Sequence, residues 1–336
     1  MKTLTAEQTA ERLRAAAHVR VVCHTRPDGD TIGSAVALTM GLRHAGVAAT
    51  AWCDETLPLS CRTVSGVFET SRNGDAPCDL IVFVDFSTPS RAGADLGACD
   101  PATPVLVIDH HPFHDDVAAT WCLHDTRAAA TGCLVFDVLA ELGAPIDGET
   151  ADALYLALAT DTGNFTYSNT NRRVFEIMLA LMDAGIDIAG LASRINDCWR
   201  VQRLRLLAHA LDTLTLVAEG RGAYMYLSDE MFRAAGATQE DSDDFVNFAR
   251  ALATVRVAAM FTENRAADET RVNVRSKDAA DDVSAYARAW GGGGHACAAG
   301  ARAAGPLADN LDRLRASFEE FAETGRITTA MPHRRA

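Results

Sequence analysis

Four short, nearly unbroken apolar runs set the pattern of the first half of the chain: VRVVC at 19–23, VAATAWC at 47–53, LIVFVD at 80–85 and VLVID at 105–109. Each has the length of a strand. Near-continuous apolar character suits strands buried on both faces of a parallel sheet, whereas half-exposed strands alternate. After the first run, Ser34 to Gly46 places Ala35, Leu38 and Leu42 at helical spacing, with Gly46 where a helix C-cap belongs. Residues 1–17, MKTLTAEQTAERLRAAA, read as a polar amphipathic helix. Helical periodicity then dominates, predicting helices near 127–142, 149–160, 171–184 and 187–210. This rhythm predicts an α/β domain with an open, mainly parallel sheet and helices on both faces. Such sheets bind ligands outside the carboxyl ends of their strands.

A second rhythm starts near residue 211. LDTLTLVA, GAYMYLS, TVRVAAMF and TRVNVRS read as strands of a smaller mixed sheet, and helical patterns at 281–289 and 306–323 complete an α+β domain. The expected division is 1–190, a helical linker at 191–210, and 211–325. The terminal MPHRRA reads as a frayed end.

Composition narrows the class. Hydrophobic residues make up 48% and charged residues 23% of the 336, enough for two packed cores and incompatible with a disordered or disulfide-scaffold chain. The balance of 31 basic against 45 acidic residues gives a net charge of −14. No global basic surface is therefore available to track long nucleic acid by counterion release. An anionic substrate has to be drawn in locally, by a few cations, backbone N–H groups or metal ions. The nine cysteines are odd in number and form no C-x-x-C pair, which fits a reduced, cytoplasmic compartment. No stretch approaches the roughly 20 apolar residues of a membrane span, and the N-terminus does not read as a signal peptide.

The chemistry gathers at strand ends. The first strand runs into His24-Thr25-Arg26-Pro27-Asp28-Gly29-Asp30, followed by Gly33-Ser34. The third ends in Asp85 and the fourth in Asp109-His110-His111, and a helix delivers Asp161-Thr162-Gly163. A lone aspartate at a strand end is ordinarily a turn or cap residue. A turn, however, needs neither His24 nor two alternate aspartates. Two imidazoles and four carboxylates suffice for two divalent ions about 3.5–4 Å apart sharing one carboxylate. Mixed N/O donors at an open site favour Mn²⁺ or a similar ion over a thiolate-bound structural zinc. His114 and Asp115 follow closely enough to be outer neighbours of the site, while His124 reads as a surface residue.

These four motifs resemble those of the DHH phosphoesterase family. The stretch Arg275-Ser276-Lys277, Gly291–Gly294, His295 and Ala298-Ala299-Gly300 resembles that family's DHH-associated substrate-binding domain. Within the family the layout is similar to the branch of oligoribonucleases and pAp phosphatases, the nanoRNases. The resemblance implies His24, Asp28 and Asp85 at one metal ion, and Asp30, Asp85, His110 and Asp161 at the other. Asp85 bridges them. It further implies His111 facing the substrate phosphate, with Asp109 orienting an imidazole. The ions would be Mn²⁺, with Mg²⁺ or Co²⁺ as alternatives.

The second domain makes chemical sense beside this. Four glycines let backbone N–H groups approach an anion, the Arg275 guanidinium offers a planar fork for phosphate, and His295 can add a donor. Arg275, Ser276, Gly292, Gly293, Gly294 and His295 are the expected substrate-binding residues. The implied activity is metal-dependent hydrolysis of short RNA oligonucleotides, linear dinucleotides and 3′-phosphoadenosine 5′-phosphate, with long duplexes repelled and a homodimer allowed. A cyclic-dinucleotide phosphodiesterase, a family II inorganic pyrophosphatase and a non-catalytic nucleotide-binding regulator are the competing readings. Phe113, Phe165, Tyr167 and Trp290 are the aromatic candidates for stacking on a base.

Overall fold

The computed structural model describes residues 1–53, 55, 57–58, 60–61, 68–69, 77–93, 100, 102–113 and 119–327. The chain divides into two compact units, Met1–Cys198 and Trp199–Ala336.

The first unit is built on a seven-stranded sheet of β1 (Lys2–Thr3), β2 (His18–Val22), β3 (Ala48–Trp52), β4 (Phe68–Glu69), β5 (Leu80–Val84), β6 (Val105–Asp109) and β7 (Trp121–His124). Their order is β1-β7-β6-β5-β2-β3-β4, and every pairing is parallel. The chain leaves β2 toward β3 and β4, then returns to add β5, β6 and β7 on the other side. The switch point thus lies between β2 and β5, where such sheets place their ligands. His24 and Asp85 follow those two strands.

Six helices share one core with the sheet: α1 (Ala6–Ala15), α2 (Gly29–His44), α3 (Thr131–Leu142), α4 (Gly148–Asp161), α5 (Arg172–Asp183) and α6 (Ile188–Asn196). On the opposite face Trp52, Phe83, Phe86 and Val107 form a second cluster. Helical cover there, among the described residues, is the single 3₁₀ turn Pro89–Arg91. Helices α2 and α4 touch backbone to backbone. A Cβ on Gly33 would stand 2.3 Å from the carbonyl oxygen of Ala153, so only glycine fits there. That contact brings Asp30, on the first turn of α2, close to Asp161 on the last turn of α4.

The second unit carries a mixed six-stranded sheet of β8 (Thr215–Val217), β9 (Gly222–Leu227), β10 (Val257–Asn264), β11 (Glu269–Ser276), β12 (Gly293–Gly294) and β13 (Ala298–Ala304). The order is β12-β13-β11-β10-β9-β8, with β9 and β10 parallel and the other pairs antiparallel. Helices α7 (Val201–Asp212), α8 (Asp229–Ala235) and α9 (Val246–Arg250) share a core with one face of this sheet. Helices α10 (Val283–Ala289) and α11 (Leu307–Thr324) pack on the other face, where Tyr286 and Phe318 of the helices meet Tyr224 and Phe261 of the sheet. No described helix is long and apolar enough to cross a membrane.

Several elements differ from the periodicity reading. The helix expected at 187–210 is two, α6 and α7, broken between Asn196 and Val201. The helix expected from 127 starts at Thr131, because Asp125 turns the chain by accepting the N–H of Arg127. The segment at 1–17 begins as β1, and its helix starts only at Ala6, where the N-cap Thr5 and Gln8 form a capping box. Strand β13, AAGARAA, carries none of the β-branched residues that announce a strand and exists because β11 pairs with it.

Candidate metal centre

His24 and Asp85 follow adjacent strands, and each is fixed by backbone bonds. Asp85 donates its N–H to the carbonyl of Ile108 at 2.9 Å and takes φ of 69°, a left-handed conformation unusual for a residue with a side chain. Thr31, one turn into α2, donates its hydroxyl to the Val84 carbonyl and its N–H to the Asp28 carboxylate that caps the helix. This anchors the His24–Asp30 turn against the end of β5.

The donor atoms then converge. Nε2 of His24 is 3.7 Å from Asp28 and 3.4 Å from Asp85. Nε2 of His110 is 3.8 Å from Asp30, 3.5 Å from Asp85 and 3.5 Å from Asp161. Two donors each about 2.1 Å from one ion stand about 3.0 Å apart at a right angle and about 3.4 Å apart at a tetrahedral one. The observed separations are therefore close to those of ligands around a shared ion. Three groups among the described residues can each hold one: His24, Asp28 and Asp85; Asp30, His110 and Asp161; and Asp85, His110 and His111. Asp85 belongs to two of them.

Ring orientation supports the same use. Nδ1 of His24 bonds the Thr25 carbonyl at 2.9 Å, and Nδ1 of His110 bonds the Ala128 carbonyl at 3.1 Å. A carbonyl can only accept, so Nδ1 donates in both rings and Nε2 is the nitrogen turned to the site. Metal-ligating histidines are held in this way. His111 differs. Its Nδ1 bonds the buried Asp109 carboxylate at 2.9 Å, and its side chain is 33% exposed.

The carboxylates are held from behind. Helix α3 has no side-chain cap of its own; Asp30 supplies it from α2, accepting N–H bonds from Thr131 at 2.7 Å and Gly132 at 3.0 Å. The Ser34 hydroxyl adds a third bond to Asp30, and the Thr131 hydroxyl donates to Asp85 at 2.9 Å. Asn169 donates its side-chain amide to the backbone carbonyls of Ala129 and Asp161. Sequence pattern did not single out Asn169, nor the bond from Thr131 to Asp85. His124, expected on the surface, bonds the His111 carbonyl and stacks on Phe113. His114 and Asp115 lie outside the described residues.

Electrostatic strain is concentrated here. Burial, then the charges of Asp85 and Asp28, push the Asp30 carboxyl well above its ordinary range. Burial and Asp30 do the same to Asp161. Burial would also raise Asp85, but hydrogen bonds from His111 and His24 and the charges of His111 and His110 hold it well below. Burial would depress both imidazoles. Bonds to Asp28 and Asp85 nevertheless lift His24 to about 10, and bonds to Asp109 and Asp85 lift His111 to about 11. Imidazole nitrogen and carboxylate oxygen, without thiolate, suit divalent cations, whose charge would offset this crowding of carboxylates.

In the second unit, Arg275 and Ser276 end β11. Arg275 is half-buried and bonds the Val274 carbonyl, while buried Ser276 bonds the carbonyls of Asp278 and Ala296. The glycines are not a loose loop. Gly291 and Gly292 donate to α10 carbonyls and close that helix, and β12 pairs with β13. His295 and Ala298 exchange both backbone bonds, so in the alternating ladder the N–H of Gly294 points away from β13. Trp290 is buried in the core and offers no face for stacking.

A paired carboxylate and imidazole centre at the switch point of a parallel sheet defines an α/β protein built to hold metal ions. Residues 18–158 match the DHH family N-terminal domain, and residues 220–324 match the DHHA1 domain. The chain is 30% identical over 313 residues to the bifunctional oligoribonuclease and PAP phosphatase NrnA of Thermus thermophilus, covering 91% of each. It is 24% identical over 317 residues to the protein of the same name from Bacillus subtilis, covering 89% of this chain and 93% of that one. Among solved structures, an exopolyphosphatase-related protein from Bacteroides fragilis matches the fold with a TM-score of 0.82 at 22% identity. That match covers 94% of this chain and 96% of the other. The chain belongs to the DHH family of metal-dependent phosphoesterases.

Replacing His110 should separate it from its neighbour. His110→Ala and Asp85→Asn should lower the Mn²⁺ retained per chain after dialysis, whereas His111→Ala should keep the metal and lose turnover. The reverse pattern for the two histidines would exchange their roles.

Without metal, stability should depend on pH through His24 and His111. Their folded values of about 10 and 11 lie above the ordinary 6.5, so their contribution is complete below 6.5 and is lost as pH rises toward 10. Urea unfolding of chelator-treated protein should need more urea at pH 6 than at pH 9.

Proposed function

We propose that this protein is a cytoplasmic metal-dependent phosphohydrolase that cuts short oligoribonucleotides and linear dinucleotides to mononucleotides and removes phosphate from 3′-phosphoadenosine 5′-phosphate. The observation that carries the reading is that Asp85 stands 3.4 Å from His24 and 3.5 Å from His110, in a chain similar along 91% of its length to an oligoribonuclease and PAP phosphatase.

In this reading His24, Asp28 and Asp85 hold one divalent ion, and Asp30, His110, Asp161 and Asp85 hold the other. Mn²⁺ is the expected ion, with Mg²⁺ or Co²⁺ as alternatives. When bound, the pair supplies Lewis acidity and a nucleophile usable at neutral pH. Asp85 keeps its charge because His24 and His111 flank it, so it can serve both sites at once. Asp30 is held by two backbone N–H groups and a hydroxyl, which fixes its oxygens before any ion arrives. His111, kept protonated by Asp109, is placed to meet negative charge on a substrate phosphate. Arg275, Ser276, Gly292, Gly293, Gly294 and His295 are the groups proposed to bind the substrate's phosphates. The guanidinium provides charge, and the outward N–H of Gly294 provides a donor with no side chain in its way. The net charge of −14 favours short substrates over long duplexes.

A hydrolysis panel in Mn²⁺ decides among the readings. RNA of 2 to 5 nucleotides, pGpG and 3′-phosphoadenosine 5′-phosphate should be cut, with pyrophosphate, cyclic dinucleotides and 24-nucleotide RNA poor substrates. Preference for pyrophosphate or a cyclic dinucleotide would favour the competing enzymes, and turnover of none would leave a nucleotide-binding regulator. Arg275→Ala and His295→Ala should each lose about ten- to a hundredfold in kcat/KM on dinucleotides, the cost of one charge-assisted phosphate contact. Bis-p-nitrophenyl phosphate, too small to need them, should be cut almost as by wild type. Equal loss on both substrates would remove these residues from substrate capture.

A further inference from the structure

The loop after α4 is unusually constrained. Gly163, Asn164 and Phe165 take φ of 56°, 54° and 64°, three successive left-handed residues of which two carry side chains. Such backbone persists only where the surroundings over-determine it. Asn164 donates its N–H to Ala159, and Thr166 and Tyr167 donate theirs to Thr162, which closes the loop on the end of the helix.

The side chain of Asn169 ties the far side. Its Nδ2 donates to the Asp161 carbonyl at 3.0 Å and to the Ala129 carbonyl at 2.9 Å. Both amide hydrogens are thus used on backbone. Its Oδ1 is buried and has no hydrogen-bond partner among the described residues. The amide is turned for its donors at the expense of its acceptor, which leaves a buried oxygen unpaired to keep both backbone bonds.

What those two carbonyls belong to matters. One is the backbone of Asp161 itself. The other sits in the segment whose Ala128 carbonyl orients His110 and whose Thr131 and Gly132 N–H groups hold Asp30. One amide therefore links the supports of Asp30, His110 and Asp161. His24 and Asp28 are held separately, by the Thr25 carbonyl and the Thr31 N–H.

We propose that Asn169 is a positioning residue chiefly for one metal site, fixing Asp161 relative to His110 and Asp30, while His24 and Asp28 keep supports of their own and only the shared Asp85 is reached, through the Thr131 hydroxyl. This rests on the reading of those residues as ligands. Outer partners of ligating groups characteristically cost ten- to a hundredfold in metal affinity when removed, and here the loss should fall chiefly on a single ion.

The test is calorimetric titration of metal-free full-length protein with MnCl₂. Asn169→Leu keeps the approximate shape and removes both donors. It should bind one ion as wild type does and the other about ten- to a hundredfold more weakly. Ser228→Ala is the control: it removes the cap of α8 in the second unit, where Ser228 accepts the Met231 N–H, and should lower the unfolding midpoint with both affinities unchanged. If Asn169→Leu does not fold, Asn169→Ser, which keeps one donor at shorter reach, should still show a selective weakening of one ion. The proposal is overturned if the folded variant binds both ions as wild type does, or loses affinity for both alike. Wild-type protein that takes up no ion would instead overturn the functional reading beneath it.

Discussion

Three buried or half-buried carboxylates, Asp30, Asp85 and Asp161, face one imidazole within 3.8 Å, and everything around them manages that repulsion. Like charges in one low-dielectric site cannot all remain ionised without compensation. The fold answers in three ways. It brings three imidazoles to Asp85, points the N-terminus of α3 at Asp30, and leaves Asp161 as the member whose burial is least offset. The remaining imbalance is what divalent cations would remove, which makes metal binding a property of the charge arrangement as much as of individual ligands.

The scaffold explains why these groups can be so close. A parallel sheet delivers His24 and Asp85 from adjacent strands at the switch point. Close packing of α2 on α4, enforced at Gly33, then brings Asp30 and Asp161 over the strand ends. Neither contact tolerates much adjustment, because protein interiors are close-packed and transmit displacement. Precision at the site is inherited from backbone contacts that are themselves short. That is also why a single loop amide such as Asn169 can matter.

The legible part of the molecule was the part whose chemistry is local in sequence. His24 to Asp30, Asp85 and Asp109 to His111 each follow a strand that apolar runs announce, so both their existence and their common location were readable. What could not be read were partnerships across long separations. Asp30 caps a helix that begins 101 residues later, and no periodicity encodes that bond. Nothing local marks Asn169 as reaching back to Ala129, 40 residues earlier. Strand β13 is alanine-rich and was invisible to propensity, since neighbouring strands rather than its own side chains make it a strand. The four glycines were readable as an anion cradle. That two of them close α10 and two form an edge strand was not readable from the run itself.

The claim that most needs testing is that Asp85 joins two ions in one centre. Electron paramagnetic resonance of the Mn²⁺-loaded protein reads this directly, because two Mn²⁺ ions bridged by a carboxylate couple their spins. The account predicts a coupled spectrum in the wild-type chain that gives way to uncoupled single-ion lines in Asp85→Asn. Uncoupled lines in the wild-type protein, at full occupancy of both sites, would contradict it.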